Sequence, residues 1–260
     1  MKILVCIPCY QCAGQVRRVL DGFTPQLREK LHSVILIDNG SRDGTPEVAL
    51  EWIEREPPGL FEVWQNRKNL GLGGTHKVAF LAAEEQGCDY VGILHGDNQA
   101  RSEELLDLIE YAEHHRESSA VLGARFMARS KRNGYSRLRT IGNQLLNVLY
   151  TTVTGRKTCD LGSGINLFRM KDFPHREFLG FQDDFTFNID LLLHYFRRRL
   201  NICFLPITWT ETDQQSNAKT FQVGWSALIK LIRWFFHKEL RMEVADEKYG
   251  SKRLFSEVTN

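Results

Sequence analysis

Residues 33–55 read SVILIDNGSRDGTPEVALEWIER, and this stretch decides the fold class. Val34 to Ile37 form an unbroken apolar run, as expected of a strand covered on both faces. The polar turn Asp38-Asn39-Gly40 breaks it. Thr45 then reads as an N-cap, with Pro46 at the first helical position and Glu47 behind it. The helix should run to about Arg55 and stop before Pro57-Pro58. The same strand–turn–helix unit recurs on either side. KILVCI is a first strand, followed by a helix from Gln15 to Phe23. FEVWQ, YVGILH and AVLGA supply three more strands. Between them, THKVAFLAAEEQ is helical by its apolar spacing. Ser102 reads as the cap of a helix ending near His114, with Glu103 and Glu104 in its first turn. Apolar strands alternating with amphipathic helices predict an α/β domain with a mostly parallel sheet flanked by helices.

The second half is less regular. The spacing predicts a helix over 138–154, a strand at GINLF, a helix over 185–198, a strand at ICFLPI and a long helix over 223–242. No repeat or linker marks a second domain. The expected division is an α/β unit over 1–222 followed by a C-terminal amphipathic helix and tail over 223–260.

Composition bounds the function. The 260 residues are 42% hydrophobic and 25% charged, with a formal net charge of +2, which excludes disorder and a nucleic-acid partner held by bulk charge. No run of 18 apolar residues is present to form a spanning helix. The N-terminal apolar run ends at Pro8 and reads as a buried strand rather than a signal peptide. Six scattered cysteines in a chain with ample core predict a reduced, cytoplasmic protein. Cys6, Cys9 and Cys12 have ligand-like spacing. However, Val16 stands where a fourth iron–sulfur cysteine would fall, so a cluster is not expected.

In an open parallel sheet, ligands collect beyond the carboxyl ends of the strands. Here those ends carry Pro8 and Tyr10, then Asp38, Asn39 and Gly40, then His95, Asp97 and Gln99. The first turn, PCYQC, lacks the glycines of a dinucleotide fingerprint. The glycine-rich NLGLGG follows the third strand and suits close backbone approach to a ligand. A nucleotide base near Tyr10 and Asp38, with a diphosphate held through a divalent metal on Asp97, fits these residue types better.

The segments CIPCYQ, ILIDNGSRDGT, NLGLGGTHKVAF and ILHGDNQ together resemble the family 2 glycosyltransferases of the GT-A fold. GARF, LRTIGNQLLN, DLGSGINLFR and FTFNIDLLLHYFRRRLNICFLPITW are similar to the branch of polyprenyl-phosphate sugar transferases, including dolichyl-phosphate mannose synthase. The resemblance covers most of positions 3 to 225. It implies transfer of a sugar from a nucleoside-diphosphate sugar to an acceptor, with inversion and with Mg²⁺ or Mn²⁺. It assigns Pro8, Tyr10 and Asp38 to the nucleotide, Lys77 to the donor, and Asp97 and Gln99 to the metal-diphosphate. Arg125 and Arg139 would contact phosphates, and Ser163, Gly164 and Asn166 would line the sugar and acceptor pocket.

Three departures stand out. His95 occupies the place of the first D-x-D acid. Gln11 and Cys12 replace an asparagine and a glutamate, and Asn39 replaces the second aspartate of the base loop. An imidazole at 95 either joins the metal site and favours a softer ion such as Mn²⁺, or stays clear of it. A lipid-phosphate acceptor needs no base, whereas a hydroxyl acceptor needs a carboxylate. Asp183 and Asp184 are the candidates, with helix capping as their other reading, and Asp190 would orient arginines. The run Arg129, Lys131, Arg132, Arg137 and Arg139 is a solvated loop or a phosphate clamp, and Arg197 to Arg199 suit a helix C-terminus. Trp209, Glu211, Asp213 and Ser216 are placed for an acceptor-facing loop. A nucleotidyltransferase and a non-catalytic nucleotide-sugar-binding module are the alternatives. Finally, Trp225, Leu228, Ile229, Ile232 and Phe236 form one helical stripe, widened by Leu231, Trp234 and Phe235 and bordered by cations. That pattern suits docking on an anionic inner leaflet, as it suits packing on the domain or on a second copy.

Overall fold

The computed structural model describes residues 1–211, 220–236 and 246–254. In chain order its strands are β1 (Ile3–Cys9), β2 (Ser33–Asp38), β3 (Phe61–Asn66), β4 (Tyr90–Leu94), β5 (Ala120–Ala124), β6 (Lys131–Asn133), β7 (Ile165–Arg169), β8 (Ile202–Pro206), β9 (Thr208–Thr210) and β10 (Ser251–Leu254). Eight build one sheet in the order β10-β3-β2-β1-β4-β7-β5-β8, while β6 and β9 pair separately. The pairs β1–β2, β2–β3, β1–β4 and β5–β8 are parallel. β7 runs antiparallel between β4 and β5. Every residue of β1, β2, β4 and β5 is buried, as their unbroken apolar runs require.

Helices cover both faces. On one lie α1 (Ala13–Asp21), α2 (Pro25–Glu29), α3 (Thr45–Ile53) and α5 (Glu104–His114), burying Val16, Leu20, Leu27, Ala49 and Leu105 against the sheet. The other carries α4 (Gly71–Glu85), α6 (Arg137–Thr154), α7 (Phe187–Arg197) and α8 (Thr220–Phe235). Phe80 of α4 is fully buried there, with the rings of Phe168, Phe173, Phe178 and Phe187 at 5.0–6.0 Å.

Two caps differ from expectation. Gly44, at φ +83°, precedes α3, and Thr45 is already helical. The Thr45 hydroxyl donates to Asp43 and accepts from the Cys12 N–H, tying α3 to the start of α1. Ser102 does not cap α5 either: its hydroxyl donates to the Val19 carbonyl of α1 at 2.7 Å. In both cases a tertiary contact takes the side chain that local reading reserved for the helix end.

The expected boundary at 222/223 falls inside α8, whose Ala227 and Leu231 belong to the core. β10 joins the main sheet antiparallel to β3. The described parts of the C-terminal segment, α8 and β10, thus pack on the same core and sheet. Positions 237–242 of the expected long helix lie outside the described residues. No helix among the described residues is long and apolar enough to cross a membrane.

Phe80→Ala removes the ring on which four others pack and should cost about 3–5 kcal/mol. Urea unfolding should show the midpoint falling without loss of cooperativity.

Candidate active site

A cavity of about 900 Å³ opens beyond the carboxyl ends of β1 and β4 and is walled by α6 and α8. The strand ends contribute Pro8, Tyr10, Asn39, His95, Asp97 and Gln99. Arg125 enters from β5, Gly162, Ser163 and Gly164 from the turn before β7, and Trp209 and Glu211 from β9. Arg139 and Asn143 of α6 face Trp225 and Leu228 of α8 across the mouth.

Asp97 sits in a tight turn after β4, where its Oδ1 accepts the Gln99 N–H at 3.2 Å. Burial raises its carboxyl pKa, and neighbouring His95 pulls the other way. His95 is fixed by its backbone N–H to the Gly164 carbonyl at 2.8 Å. Gly164 makes room for the imidazole, since a Cβ there would lie 3.0 Å from the ring. Burial lowers the His95 pKa, and its Nε2 has no partner. Behind it, fully buried His76 packs at 5.6 Å with neither ring nitrogen bonded. Burial first, and His95 second, push the His76 pKa well down. Among the described residues, no three His, Cys, Asp or Glu side chains converge on a metal position.

Two arginines reach the cavity, each with a carboxylate. Arg125 forks onto Asp160 through Nε and Nη2, both at 2.8 Å, and Nη2 also donates to the Gly162 carbonyl. Its guanidinium lies over Trp209 at 4.9 Å. Arg139 donates from Nη1 to Glu211 at 2.7 Å and stacks on Tyr135 at 4.4 Å.

Pro8, Tyr10, His95, Asp97, Gln99, Arg125, Arg139, Ser163 and Gly164 therefore line one cavity, whereas Asp38, Lys77, Asn166, Asp183, Asp184 and Asp190 do not. Asp38 is fully buried. Its carboxylate accepts from the Gly40 and Ser41 N–H groups and from Gln65, closing the turn after β2. Asn166 donates to the Ser163 carbonyl and shapes that turn from behind. Lys77 is 0% exposed, and its ammonium donates to the Leu179 and Phe181 carbonyls, Asp183 and the Tyr249 hydroxyl. Its expected place at the donor gives way to a structural one. Asp183 is held by Lys77, Lys248 and Tyr249, and Asp184 caps the turn before α7 by accepting from Thr186. Neither carboxylate lines the cavity. Asp190 pairs with Lys230 of α8 rather than with arginines.

The glycine-rich segment also serves the chain itself. Cβ atoms at Gly71 and Gly73 would lie 2.3 Å from the Asp183 carbonyl oxygen and 2.4 Å from that of Gln182. The backbone of 182–183 thus lies directly against the start of α4. Asn39 explains its departure from aspartate. Its amide donates to Asn69 and Gly71 while its oxygen accepts from Asn66 and Leu70, and a carboxylate could not donate. Asn143 and Asn188 are cavity residues that sequence reading did not single out, and no motif marked them. Asp213 and Ser216 lie outside the described residues.

The family model "Glycosyl transferase family 2" matches residues 4–176. The chain belongs to this family. Among similar proteins are a dolichyl-phosphate beta-glucosyltransferase from Dictyostelium discoideum, 25% identical over 80% of this chain and 66% of its own length, and Glycosyltransferase AglJ from Haloferax volcanii, 26% identical over 79% and 62%. The chain thus spans somewhat under two thirds of the length of these relatives. Two solved structures share the fold of this family 2 member. Glucosyl-3-phosphoglycerate synthase from Mycobacterium tuberculosis, in complex with Mn²⁺, UDP and glucosyl-3-phosphoglycerate, superposes with TM-score 0.64 at 13% identity, covering 90% of this chain and 80% of its own. A mannosyltransferase from Pyrobaculum calidifontis in complex with GDP-Man and Mn²⁺ gives 0.59 at 18% identity, covering 95% and 66%.

Asp183→Asn tests the structural assignment. Hydrogen bonds from Lys248, Lys77 and Tyr249, with the Lys77 charge, outweigh burial and hold the Asp183 pKa below the ordinary carboxylate range. Its stabilisation is therefore complete at neutral pH and lost as pH falls below about 4, through the depressed pKa. The variant should lose about 3–5 kcal/mol at pH 7 and show a flatter acid limb in a series of unfolding curves.

Proposed function

We propose that this chain transfers a sugar from a nucleoside-diphosphate sugar to an acceptor phosphate carried by a lipid. The observation that carries the acceptor assignment is the cavity's carboxylate set. Asp97 and Glu211 are the acids on its wall, and Glu211 is engaged by Arg139 and Trp209. A hydroxyl acceptor would lack a free base, whereas a phosphate oxygen is already a nucleophile. The names of the Dictyostelium relative and of an undecaprenyl-phosphate transferase from Photorhabdus laumondii support the same acceptor class.

Pro8 and Tyr10 flank the nucleotide in this reading. The residues present suit a divalent ion, Mg²⁺ or Mn²⁺. Asp97 and the unpartnered Nε2 of His95 offer two donors, a number that leaves room for diphosphate oxygens. When bound, such an ion neutralises the diphosphate leaving group. Arg125, through the Nη1 that Asp160 leaves over, and Arg139 add fixed positive charge where the phosphates lie. Gln99 and Ser163 line the donor side. The acceptor oxygen attacks the anomeric carbon from the face opposite the departing diphosphate, which inverts the centre.

Docking at the cytoplasmic, inner leaflet completes the proposal. Along α6, Leu138 is 80% and Leu145 68% exposed, with Ile141 and Val148 on the same stripe. Trp225, Ile232, Phe235 and Phe236 are exposed on α8, while Ala227 and Leu231 face inward. The apolar stripe of α8 is thus split between core and surface, and Trp234 belongs inside, donating to the Leu193 carbonyl. Arg129, Lys131, Arg132 and Arg137 are exposed beside the α6 stripe. Apolar side chains bordered by cations suit an anionic lipid surface.

Isothermal titration with UDP- and GDP-sugars in Mn²⁺ should identify a donor, and Asp97→Ala should weaken it at least about tenfold. Unchanged affinity would remove Asp97 from the site. Donor binding without release of nucleoside diphosphate when polyprenyl phosphate is supplied would point to a binding module instead.

Vesicles containing anionic phospholipid should co-sediment the protein at low salt. Leu138→Ser with Ile141→Ser, or Phe235→Ser with Phe236→Ser, should abolish this without lowering thermal stability. Retained binding in both would refute the docking surface.

A further inference from the structure

The two cavity arginines differ in how their charge is matched. Arg125 meets Asp160 through a two-point fork, and that carboxylate also accepts the Arg125 backbone N–H at 2.9 Å. The Asp160 side chain is 1% exposed, so this counter-ion is permanent. Arg139 meets Glu211 at one point only, Nη1 to Oε2 at 2.7 Å. Its Nε–H is buried with no partner. A guanidinium with one donor satisfied and another orphaned inside a cavity is poised to take a second anion.

Glu211 is delivered to that point from a separate element. Its backbone N–H donates to the Asn133 carbonyl at 2.8 Å, extending the β6–β9 pairing. Its own carbonyl packs on Gly134, where a Cβ would come within 2.2 Å. Its Oε1 accepts from Trp209 Nε1 at 3.3 Å, so the carboxylate has a resting partner when Arg139 turns away.

We infer that Glu211 is a replaceable counter-ion for Arg139: it holds the guanidinium while the acceptor site is empty and yields it to a phosphomonoester. This deepens the acceptor-phosphate reading and rests on it. In the transfer, an acceptor phosphate oxygen forms a bond to the anomeric carbon. The bond from that carbon to the diphosphate breaks, and the diphosphate leaves with the electron pair. The acceptor goes from a phosphomonoester dianion to a phosphodiester monoanion. Competition from Glu211 lowers the affinity of both by a common factor. The dianion still binds, while the monoanion falls to weak occupancy and departs. Glu211 is thus a positioning residue that leaves the preference for the dianion unchanged and hastens release of the product.

The test uses ³¹P NMR titration of the full chain at about pH 8 in EDTA. Inorganic phosphate serves as the dianionic probe and dimethyl phosphate as the monoanionic one. Arg139→Gln should weaken inorganic phosphate at least about tenfold. Glu211→Gln and Glu211→Ala should tighten both probes by a similar factor of about five. Binding that ignores Arg139 would overturn the phosphate-site reading and this inference with it. Binding that depends on Arg139 but is unchanged or weakened in both Glu211 variants would overturn the counter-ion role alone, leaving Glu211 as a support for the arginine. A gain confined to inorganic phosphate would reveal a general field effect and would also overturn it.

Discussion

Lys77 carries a full positive charge into a part of the fold that water does not reach, and such a charge must be met by fixed acceptors. Burial lowers its pKa, while the bond to Asp183 opposes that shift. The acceptors come from far along the chain: two carbonyls of the segment before α7, the Asp183 carboxylate and the hydroxyl of Tyr249. Meeting them forces the 179–183 segment onto α4, and only glycines at 71 and 73 let the backbones approach so closely. α7 starts four residues later with its position already set, and Phe185 and Asn188 thereby come to the cavity wall. A site built on strand ends thus gains its far wall from one ion pair outside it.

The cavity has few loose charges. Asp160 occupies Arg125, Glu211 occupies Arg139, and Asp97 shares its burial with the His95 imidazole. The Arg125 guanidinium, pinned between an aromatic face and a carboxylate, keeps its orientation when a ligand arrives, so it needs little reorganisation as charge develops on a leaving group. The pair His76–His95 is the least satisfied part of this arrangement, with three ring nitrogens lacking partners.

How much was legible in the sequence depended on range. The apolar runs at 3–7, 34–37, 90–94 and 120–124 announced both the strands and their double-sided burial, because each carries its signal within a few residues. The strand GINLF was visible, but its antiparallel insertion between β4 and β5 was not, since its partners lie far away in sequence. Strand ends pointed to Tyr10, Asp97 and Gln99, while Asp38 faded into its own turn because three donors lie within reach. Lys77 and Asp183 misled for the opposite reason. Motif position placed each near a ligand, but they found one another across 106 positions of chain. Glu211 could be singled out as a loop residue, yet its partner on α6 was invisible without coordinates.

The Tyr249 hydroxyl lies 172 positions from the ammonium it accepts from, and the strand that follows it covers the outer flank of β3. During synthesis these residues emerge after the rest of the described domain. Until then β3 offers a bare row of peptide groups, and Lys77 lacks one of its oxygen partners. Such a sheet assembles non-locally, and the form that has β3 without β10 is open to pairing with a neighbour. The sheet's margin at β3 is thus sealed by a segment made long after the strand it covers.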